Sequence, residues 1–343
     1  MKKNIMSALL FIALVCATFW VLFRDNSIWQ VVKILKEMNE LWVLAGFVAA
    51  MLFVCMEGFM IWYLLRIRKS HIGLLSCVRY SFIGFFFSGI TPSATGGQPV
   101  QLYYMKKDKI SLADGTAVLM TVAVLYKMIL VLMGLGIGVI WRKPLAGYLG
   151  NYLYLYWLGM AINIVVIAVL LFVMVSPNVF SRIVLWIEKA LIRIRVLKKS
   201  EKREESLHKM VADFSETIQF FLNNKGHIIF VAVVTFVQRT MLFLPTYFVY
   251  RGMGAAQEST LTILLLQASV YIAVDMLPLP GAQGITELMY RHVFATIFVG
   301  NSLLASTLAT RGINFYFLLL VSGVIALICY CINRKKCKKA SFM

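Results

Sequence analysis

The sequence has 343 residues, of which 61% are hydrophobic and only 14% are charged, and its mean hydropathy is +0.82. A soluble domain carries roughly 25% charged residues, so this composition excludes an ordinary water-soluble globular protein. The formal net charge of +19 comes from lysines and arginines that lie between hydrophobic runs. That distribution is typical of the cytoplasmic loops of a membrane protein and does not indicate nucleic-acid binding.

Hydrophobic runs long enough to cross a bilayer recur along the chain. One helical span needs about 20 apolar residues, and irregular backbone facing lipid would leave its N–H and C=O groups unsatisfied. We therefore predict an all-α, polytopic integral membrane protein with about six to eight transmembrane helices. The run at 5–23 is long and lacks a clear small-residue cleavage site, so we interpret it as a retained span rather than a signal peptide. Further spans are predicted near 41–65, 111–141, 152–175, 227–250, 259–277 and 312–332.

We divide the chain into a first membrane half (1–175), a basic linker (176–225) and a second membrane half with a basic tail (226–343). The distribution of Lys and Arg predicts a cell-membrane protein with both termini in the cytoplasm. Apolar residues of the linker recur at helical spacing, which predicts an amphipathic helix that lies on the membrane or packs on the protein. This apolar face consists of Leu207, Met210, Val211, Phe214, Ile218 and Phe221.

Each membrane half is interrupted by a polar loop rich in proline and glycine, near 91–99 in the first half and near 278–287 in the second. If the first region enters from the cytoplasm, the charge bias makes the second enter from outside, which predicts an inverted repeat, a plan used by many transporters. Each region is a re-entrant pair of half-helices, two full spans, or a merely structural kink. Three positions of the loops align: Pro92 with Pro280, Ala94 with Ala282, and Gly96 with Gly284.

Several ionisable residues lie inside apolar surroundings. Such a group at the bilayer centre costs at least about 2.5–3.5 kcal/mol unless it is paired or hydrated. These residues either line a polar cavity that suits an anionic headgroup or form internal ion pairs, for example between Lys127 and Asp275 or Glu287, and the two interpretations are compatible. Glu57 lies near the polar end of its span, where its side chain could extend to the interface. The residues are Glu57, Lys127, Arg239, Asp275 and Glu287.

Both loops resemble those of a known family. The segments 89–99 (GITPSATGGQP) and 277–287 (LPLPGAQGITE), followed by Arg311, resemble the membrane domain of the lysylphosphatidylglycerol synthase/flippase family, also called the multiple peptide resistance factor. The resemblance covers nearly the whole chain. It implies a flippase-like domain that moves a phospholipid, often an aminoacylated phosphatidylglycerol, between leaflets and contributes to resistance against cationic peptides.

In full-length members of that family, a cytosolic acyltransferase domain follows the membrane part and takes lysine from its tRNA. Only a short tail follows the last predicted span here, so we expect the stand-alone form without the synthase domain. We find no HExxH, GxSxG, Walker or CxxC motif, and we expect no catalytic residue, no metal and no cofactor. The expected partners are membrane phospholipids and a separate lipid synthase, with homo-oligomerisation left open and no nucleic acid.

The predicted substrate-binding residues lie on both loops and in the spans between them. They would hold the headgroup between the loops, which should meet near mid-membrane, with Lys127 and Arg239 attracting phosphate and Glu287 or Asp275 an amine. The full set is Pro92, Gly96, Gly97, Gln98, Lys127, Arg239, Asp275, Pro280, Gly281, Gly284, Glu287 and Arg311.

Three other functions remain open to the sequence. A lipid-modifying enzyme that works with a separate synthase would form product from aminoacyl-tRNA and phosphatidylglycerol. A transporter of a small solute would have a water-filled path closed to lipid, whereas a flippase would open towards lipid. A structural membrane subunit would have no accessible cavity.

Overall fold

A computed structural model describes residues 28–91, 94–193, 201–275, 277 and 279–340. Within these ranges the chain is helical and forms no β-strand, which confirms the predicted all-α class. The predicted span at 5–23 and the loop residue Pro92 lie outside the described residues. The α-helices are α1 Ile28–Lys36, α2 Glu40–Ile67, α3 Leu74–Gly89, α4 Gly97–Lys107, α5 Leu112–Ile140, α6 Arg142–Leu149, α7 Leu153–Val175, α8 Pro177–Arg193, α9 Glu201–Asn223, α10 Lys225–Gly252, α11 Thr260–Val274, α12 Ile285–Val293, α13 Asn301–Arg311 and α14 Leu318–Ala340.

Five stretches of the described chain are long and apolar enough to cross a membrane. They contain α2, α5, α7, α10 and the continuous run from α13 into α14, which a π-helical segment, Gly312–Phe317, joins. The last span therefore begins at 301 rather than at the predicted 312. Its outer face exposes Leu320, Val324 and Leu327 at helical spacing, as expected of a helix whose solvent is lipid.

Contacts between helix ends place the first hairpin. Arg68, just after α2, donates from Nε to Asp114 Oδ1 near the start of α5 (3.3 Å). Arg79, early in α3, donates to Asp108 Oδ2 just after α4 (2.5 Å). The end of α2, the start of α3, the end of α4 and the start of α5 therefore lie together. We call this the basic end of the bundle, after the basic residues Arg66, Arg68, Lys69, Lys106, Lys107 and Lys109.

The first broken region is thus re-entrant, because α3 leaves the basic end and α4 returns to it. Helix α3 has 16 residues and α4 has 11. At 1.5 Å per residue, even α3 is only about 24 Å long, shorter than the roughly 30 Å hydrocarbon core. The region therefore consists of two half-helices joined by a loop inside the bundle, and not of the two full spans that the sequence also allowed.

The second broken region is re-entrant from the opposite end. His292, near the end of α12, contacts the carbonyl of Leu149 with its Nε2 (3.0 Å). Tyr148 Oη donates to Glu258 Oε1, just before α11 (3.4 Å). Because α6 follows the far end of α5, both arms of this hairpin meet at the end opposite the basic one. The two hairpins enter from opposite ends, as the predicted inverted repeat requires.

The linker helices pack against the basic end of the bundle. Phe214, Ile218 and Phe221 of α9 are buried, and the Phe214 ring stacks on Phe180 of α8 with centroids 3.8 Å apart. Thr217 Oγ1 donates to Asp114 Oδ1 (2.9 Å). The sequence predicted that the apolar face of this linker helix lies on the membrane or packs on the protein. The buried part of that face packs on the protein. The division of the chain at 175 and 225 stays a prediction.

Candidate functional site

The two broken loops meet inside the bundle. A short 3₁₀ turn of the second loop, Pro280–Ala282, contacts α3 of the first hairpin. Residues of both hairpins line one cavity of about 200 Å³. Helices α5 and α10 contribute Tyr126 and Arg239 from near the middle of their lengths, so the cavity lies deep between the ends of the bundle. The hairpin residues in its wall are Phe85, Ser88, Gly89, Ala94, Tyr271, Val274, Asp275, Leu277, Leu279, Gly281, Ala282 and Thr286.

Neutral hydrogen bonds hold the first loop. Thr91 Oγ1 donates to the carbonyl of Phe87 (2.7 Å) and accepts from the amide of Gly96 (2.9 Å). Ser88 Oγ donates to the carbonyl of Ala94 (3.3 Å). A Cβ on Gly97 would lie 2.1 Å from Ser88 Oγ, so only glycine lets α4 start this close to α3. This loop therefore reaches the cavity without a charged side chain.

A buried ion pair holds the second loop. Glu287 Oε2 accepts from the amide of Gly284 (2.8 Å), and its Oε1 accepts from Arg311 Nε (2.8 Å). Arg311 Nη2 donates to the carbonyl of Gly281 (3.0 Å). Gly281 and Gly284 have positive φ angles of 58° and 82° respectively, a conformation that other residues adopt only under strain. The ion pair therefore fixes the backbone of the second loop in a tight turn, which the two glycines permit.

A second ion pair joins the second hairpin to α5. Lys127 Nζ donates to Asp275 Oδ2, and Tyr126 Oη donates to Asp275 Oδ1 (2.5 Å). Asp275 lies just after α11 and lines the cavity, whereas Lys127 supports it from the side. The lysine thus forms the anticipated internal pair, and its partner Asp275 is a residue of the cavity wall.

Arg239 is held by aromatic rings rather than by a carboxylate. Its guanidinium carbon lies 3.7 Å from the centroid of Tyr126 and 4.9 Å from that of Phe53. Its Nη2 donates to Gln238 Oε1 (3.0 Å), and its Nε, although buried, has no hydrogen-bond partner among the described residues. No described carboxylate lies within ion-pair distance of Arg239, which is only 6% exposed. Arg239 is therefore a buried cation in the wall of the cavity.

Comparison with known proteins agrees with this architecture. A family model described as the lysylphosphatidylglycerol synthase TM region matches residues 6–322. The chain belongs to that family. It is also 24% identical over 275 residues to the UPF0104 membrane protein PH1989 of Pyrococcus horikoshii, a match that covers 77% of this chain and 79% of the relative. The chain is thus a multi-pass membrane protein of a family whose name points to lipid handling.

In this member of the synthase TM-region family, the predicted substrate-binding residues fall into three groups. Four line the cavity: Arg239, Asp275, Gly281 and Arg311. Six support that wall or the loops around it: Gly96, Gly97, Lys127, Pro280, Gly284 and Glu287. Gln98 is exposed and does not line the cavity, and Pro92 lies outside the described residues.

Glu57 does not extend to the interface. It is partly buried and accepts a hydrogen bond from Gln101 Nε2 of α4 (2.8 Å). Gln101 in turn packs so closely on Gly84 that a Cβ there would lie 2.3 Å from its Nε2. Glu57 therefore joins α2 to the first hairpin inside the bundle.

Residues that the sequence analysis passed over complete the site. Asn314 lines the cavity from the π-helical segment, is 3% exposed, and has no hydrogen-bond partner at either Nδ2 or Oδ1 among the described residues. π-Helical turns are frequent at functional sites. A signal was present, since Asn314 is an amide within an apolar span and Tyr126 directly precedes Lys127.

Among the described residues, no group of three His, Cys, Asp or Glu side chains is arranged to hold a metal ion. The polar groups at the cavity are instead two arginines, one aspartate, hydroxyls and an amide. Such a set can bind an oxyanion by charge-assisted hydrogen bonds.

Proposed function

We propose that this protein is a lipid translocase that moves a phospholipid between the two leaflets, with the headgroup in the cavity between the loops. The observation that carries the proposal is Arg239, a buried arginine at the meeting point of two opposed re-entrant hairpins that has no ion pair among the described residues. A buried charge is costly unless it is paired, so such a residue is typically functional. The family name supports a lipid as the cargo.

The size of the cavity supports a headgroup as its occupant. Its volume of about 200 Å³ is below the roughly 300–1,000 Å³ of pockets that enclose a drug-sized ligand. A phosphate with a small polar group fits this space, whereas two acyl chains do not. Ala94 of the cavity wall is exposed, which supports an opening at the first loop through which the acyl chains would stay in lipid.

The opposed hairpins suggest how access would alternate. Each hairpin lies between the cavity and one end of the bundle, so displacement of one hairpin would open a path to one leaflet only. This is the logic of transporters built from inverted repeats. We place the basic end in the cytoplasm by the positive-inside rule. Movement would be passive or coupled to an ion gradient, since the sequence carries no nucleotide-binding motif.

Arg239 suits phosphate binding in its chemistry. A guanidinium offers five N–H donors in a planar fork that matches two phosphate oxygens. Ring stacking on Tyr126 and Phe53 holds the plane of Arg239 without neutralising its charge. Its Nε has no hydrogen-bond partner among the described residues, so this donor could serve an incoming oxyanion.

A reconstitution assay tests the proposal. The purified chain in liposomes should speed the movement of fluorescent phosphatidylglycerol from the inner to the outer leaflet, measured by quenching with a membrane-impermeant reductant. Arg239→Gln should slow this movement at least about tenfold, the loss expected when one charge-assisted phosphate contact is removed. Arg142→Gln, at an exposed arginine near the end of the bundle opposite the basic end, should leave the rate unchanged. Equal rates for the wild type and Arg239→Gln would sink the proposal.

A second transport assay, with a water-soluble substrate, distinguishes a lipid translocase from a transporter of a small solute. Soluble glycerophosphoglycerol has the same headgroup without acyl chains, so a solute transporter would carry it and a lipid translocase would not. We expect its uptake into proteoliposomes to equal that of empty vesicles. Uptake above that level would assign the cavity to a water-soluble substrate instead.

A further inference from the structure

We infer that the cavity selects a phosphodiester that carries one negative charge and hydroxyl groups, and that it discriminates against an aminoacylated, cationic headgroup. This inference rests on the proposed function and names the substrate class for the same site. It follows from the charges at the cavity and from the Asn314 amide, which the proposed function does not use.

The charged residues that line the cavity or pair with its wall carry an excess of one positive charge. Lys127 and Arg311 are each paired with a carboxylate, Asp275 and Glu287 respectively, whereas Arg239 has no such partner in the described part of the chain. Among the described residues that line the cavity or pair with its wall, three cations thus face two anions. A monoanionic group would complete the balance, whereas a lysyl headgroup would add positive charge beside Arg239.

No carboxylate at the cavity is left free for an amine. Both oxygens of Asp275 accept hydrogen bonds, from Tyr126 and Lys127, and both oxygens of Glu287 accept, from Arg311 and the amide of Gly284. An ammonium group would have to displace a buried partner to reach either carboxylate. Such a displacement would leave a buried lysine or arginine uncompensated.

Glu57 does not supply the missing anion. Its carboxylate binds Gln101 and lies beyond ion-pair distance of Arg239, so its charge acts on the arginine only through space. It is also absent from the residues that line the cavity. A headgroup amine inside the cavity would therefore meet no free acidic side chain among the described residues.

Asn314 supplies the second half of the selection. Asn314 lines the cavity and is 3% exposed, and both the donor Nδ2 and the acceptor Oδ1 of its buried amide are unpartnered in the described part of the chain. A buried amide without partners is costly, and a ligand that both donates and accepts would remove that cost. A headgroup hydroxyl does both, whereas an ammonium group can only donate. In this cavity, Arg239 would thus bind the phosphate and Asn314 a hydroxyl of the same headgroup.

The test compares three lipids in the same liposome assay: phosphatidylglycerol, lysylphosphatidylglycerol and phosphatidylethanolamine. We expect the wild type to move phosphatidylglycerol at least about tenfold faster than the lysylated lipid, with the zwitterionic lipid also slower. Equal or faster movement of the lysylated lipid would overturn this inference and leave the proposed function intact. If none of the three moved faster than in empty vesicles, the proposed function itself would fail.

Two variants test the assigned residues. Asn314→Asp adds a carboxylate to the cavity wall, so movement of phosphatidylglycerol should fall and the ratio of lysylated to unmodified lipid should rise at least about tenfold. If that variant does not fold, Asn314→Leu, which has a similar volume and no hydrogen-bonding group, should reduce the preference for phosphatidylglycerol over phosphatidylethanolamine. An unchanged lipid preference in a folded variant would overturn the role of Asn314.

Discussion

The two re-entrant hairpins share a loop pattern of proline, alanine and glycine, yet they are held in different ways. The first loop is held by the hydroxyls of Thr91 and Ser88, which bind backbone groups. The second is held by the buried pair of Glu287 and Arg311, and Asp275 beside it binds Lys127. Similar sequence in two loops therefore does not imply similar energetics.

This difference gives the hairpins separate parts in the proposed function. Removing one partner of a buried ion pair costs about 3–5 kcal/mol, several times the roughly 0.5–1.5 kcal/mol of a neutral hydrogen bond. The second hairpin is thus the more strongly fixed wall of the cavity. We expect the first hairpin, whose loop residue Ala94 is exposed at the cavity, to move more readily during transport.

The largest effect on stability is expected at Arg311. Arg311→Met leaves Glu287 buried without a counterion and frees the carbonyl of Gly281, so the folded state should lose about 3–5 kcal/mol. The measurement is thermal unfolding of the detergent-purified protein. The double variant Arg311→Met/Glu287→Gln should recover part of the loss, because no uncompensated charge remains. A single variant as stable as the wild type would show that the pair does not hold the second loop.

A smaller loss is expected at the other ion pair. Lys127→Met leaves Asp275 without its cation, but Asp275 keeps the hydrogen bond from Tyr126 and is partly exposed. We expect about 3 kcal/mol of destabilisation, largely reversed in Lys127→Met/Asp275→Asn. The liposome assay adds a second readout, since the double variant should retain translocation if this pair is structural. Loss of translocation in a stable double variant would place the pair in the transport step.

Glycine replacement separates backbone strain from charge. Gly281→Ala puts a side chain at a φ of 58° and a Cβ 2.3 Å from the Phe315 ring, so it should cost about 1–3 kcal/mol. Gly136→Ala is the matched control, because a Cβ there meets nothing within 4 Å and the residue lies inside a helix. The control should be neutral or slightly stabilising in thermal unfolding. Equal midpoints for both variants would contradict the tight path assigned to the second loop.

The smallest effect is expected in the first loop. Thr91→Val keeps the shape of the side chain but removes the donor to Phe87 and the acceptor for the Gly96 amide. We expect about 1–2 kcal/mol of destabilisation in the same unfolding assay. A loss as large as that of Arg311→Met would remove the distinction between the two hairpins.

The sequence predicted the general fold because apolar length and charge distribution are strong signals in membrane proteins. The long spans, the meeting of the loops and the pairing of Lys127 with Asp275 all follow from such signals. The sequence could not choose between re-entrant and full spans. That choice depends on which helix ends meet, as Arg68 meets Asp114 and Arg79 meets Asp108 in the structure.

The side-chain details of the site were harder to predict. A span that is apolar all round does not indicate which of its faces points inward. The exposure of Gln98, the inward direction of Asn314 and the stacking of Arg239 on Tyr126 all depend on helix rotation. The hydrogen bond between Glu57 and Gln101 likewise depends on how closely α4 packs against α2 and α3.

The most direct test of the central claim is an experimental density map of the protein in nanodiscs that contain phosphatidylglycerol. The account predicts lipid density with the phosphate within hydrogen-bonding distance of Arg239, a headgroup hydroxyl at Asn314, and acyl chains leaving past the first loop. A cavity closed by side chains, or lipid density only on the outer surface of the bundle, would contradict it.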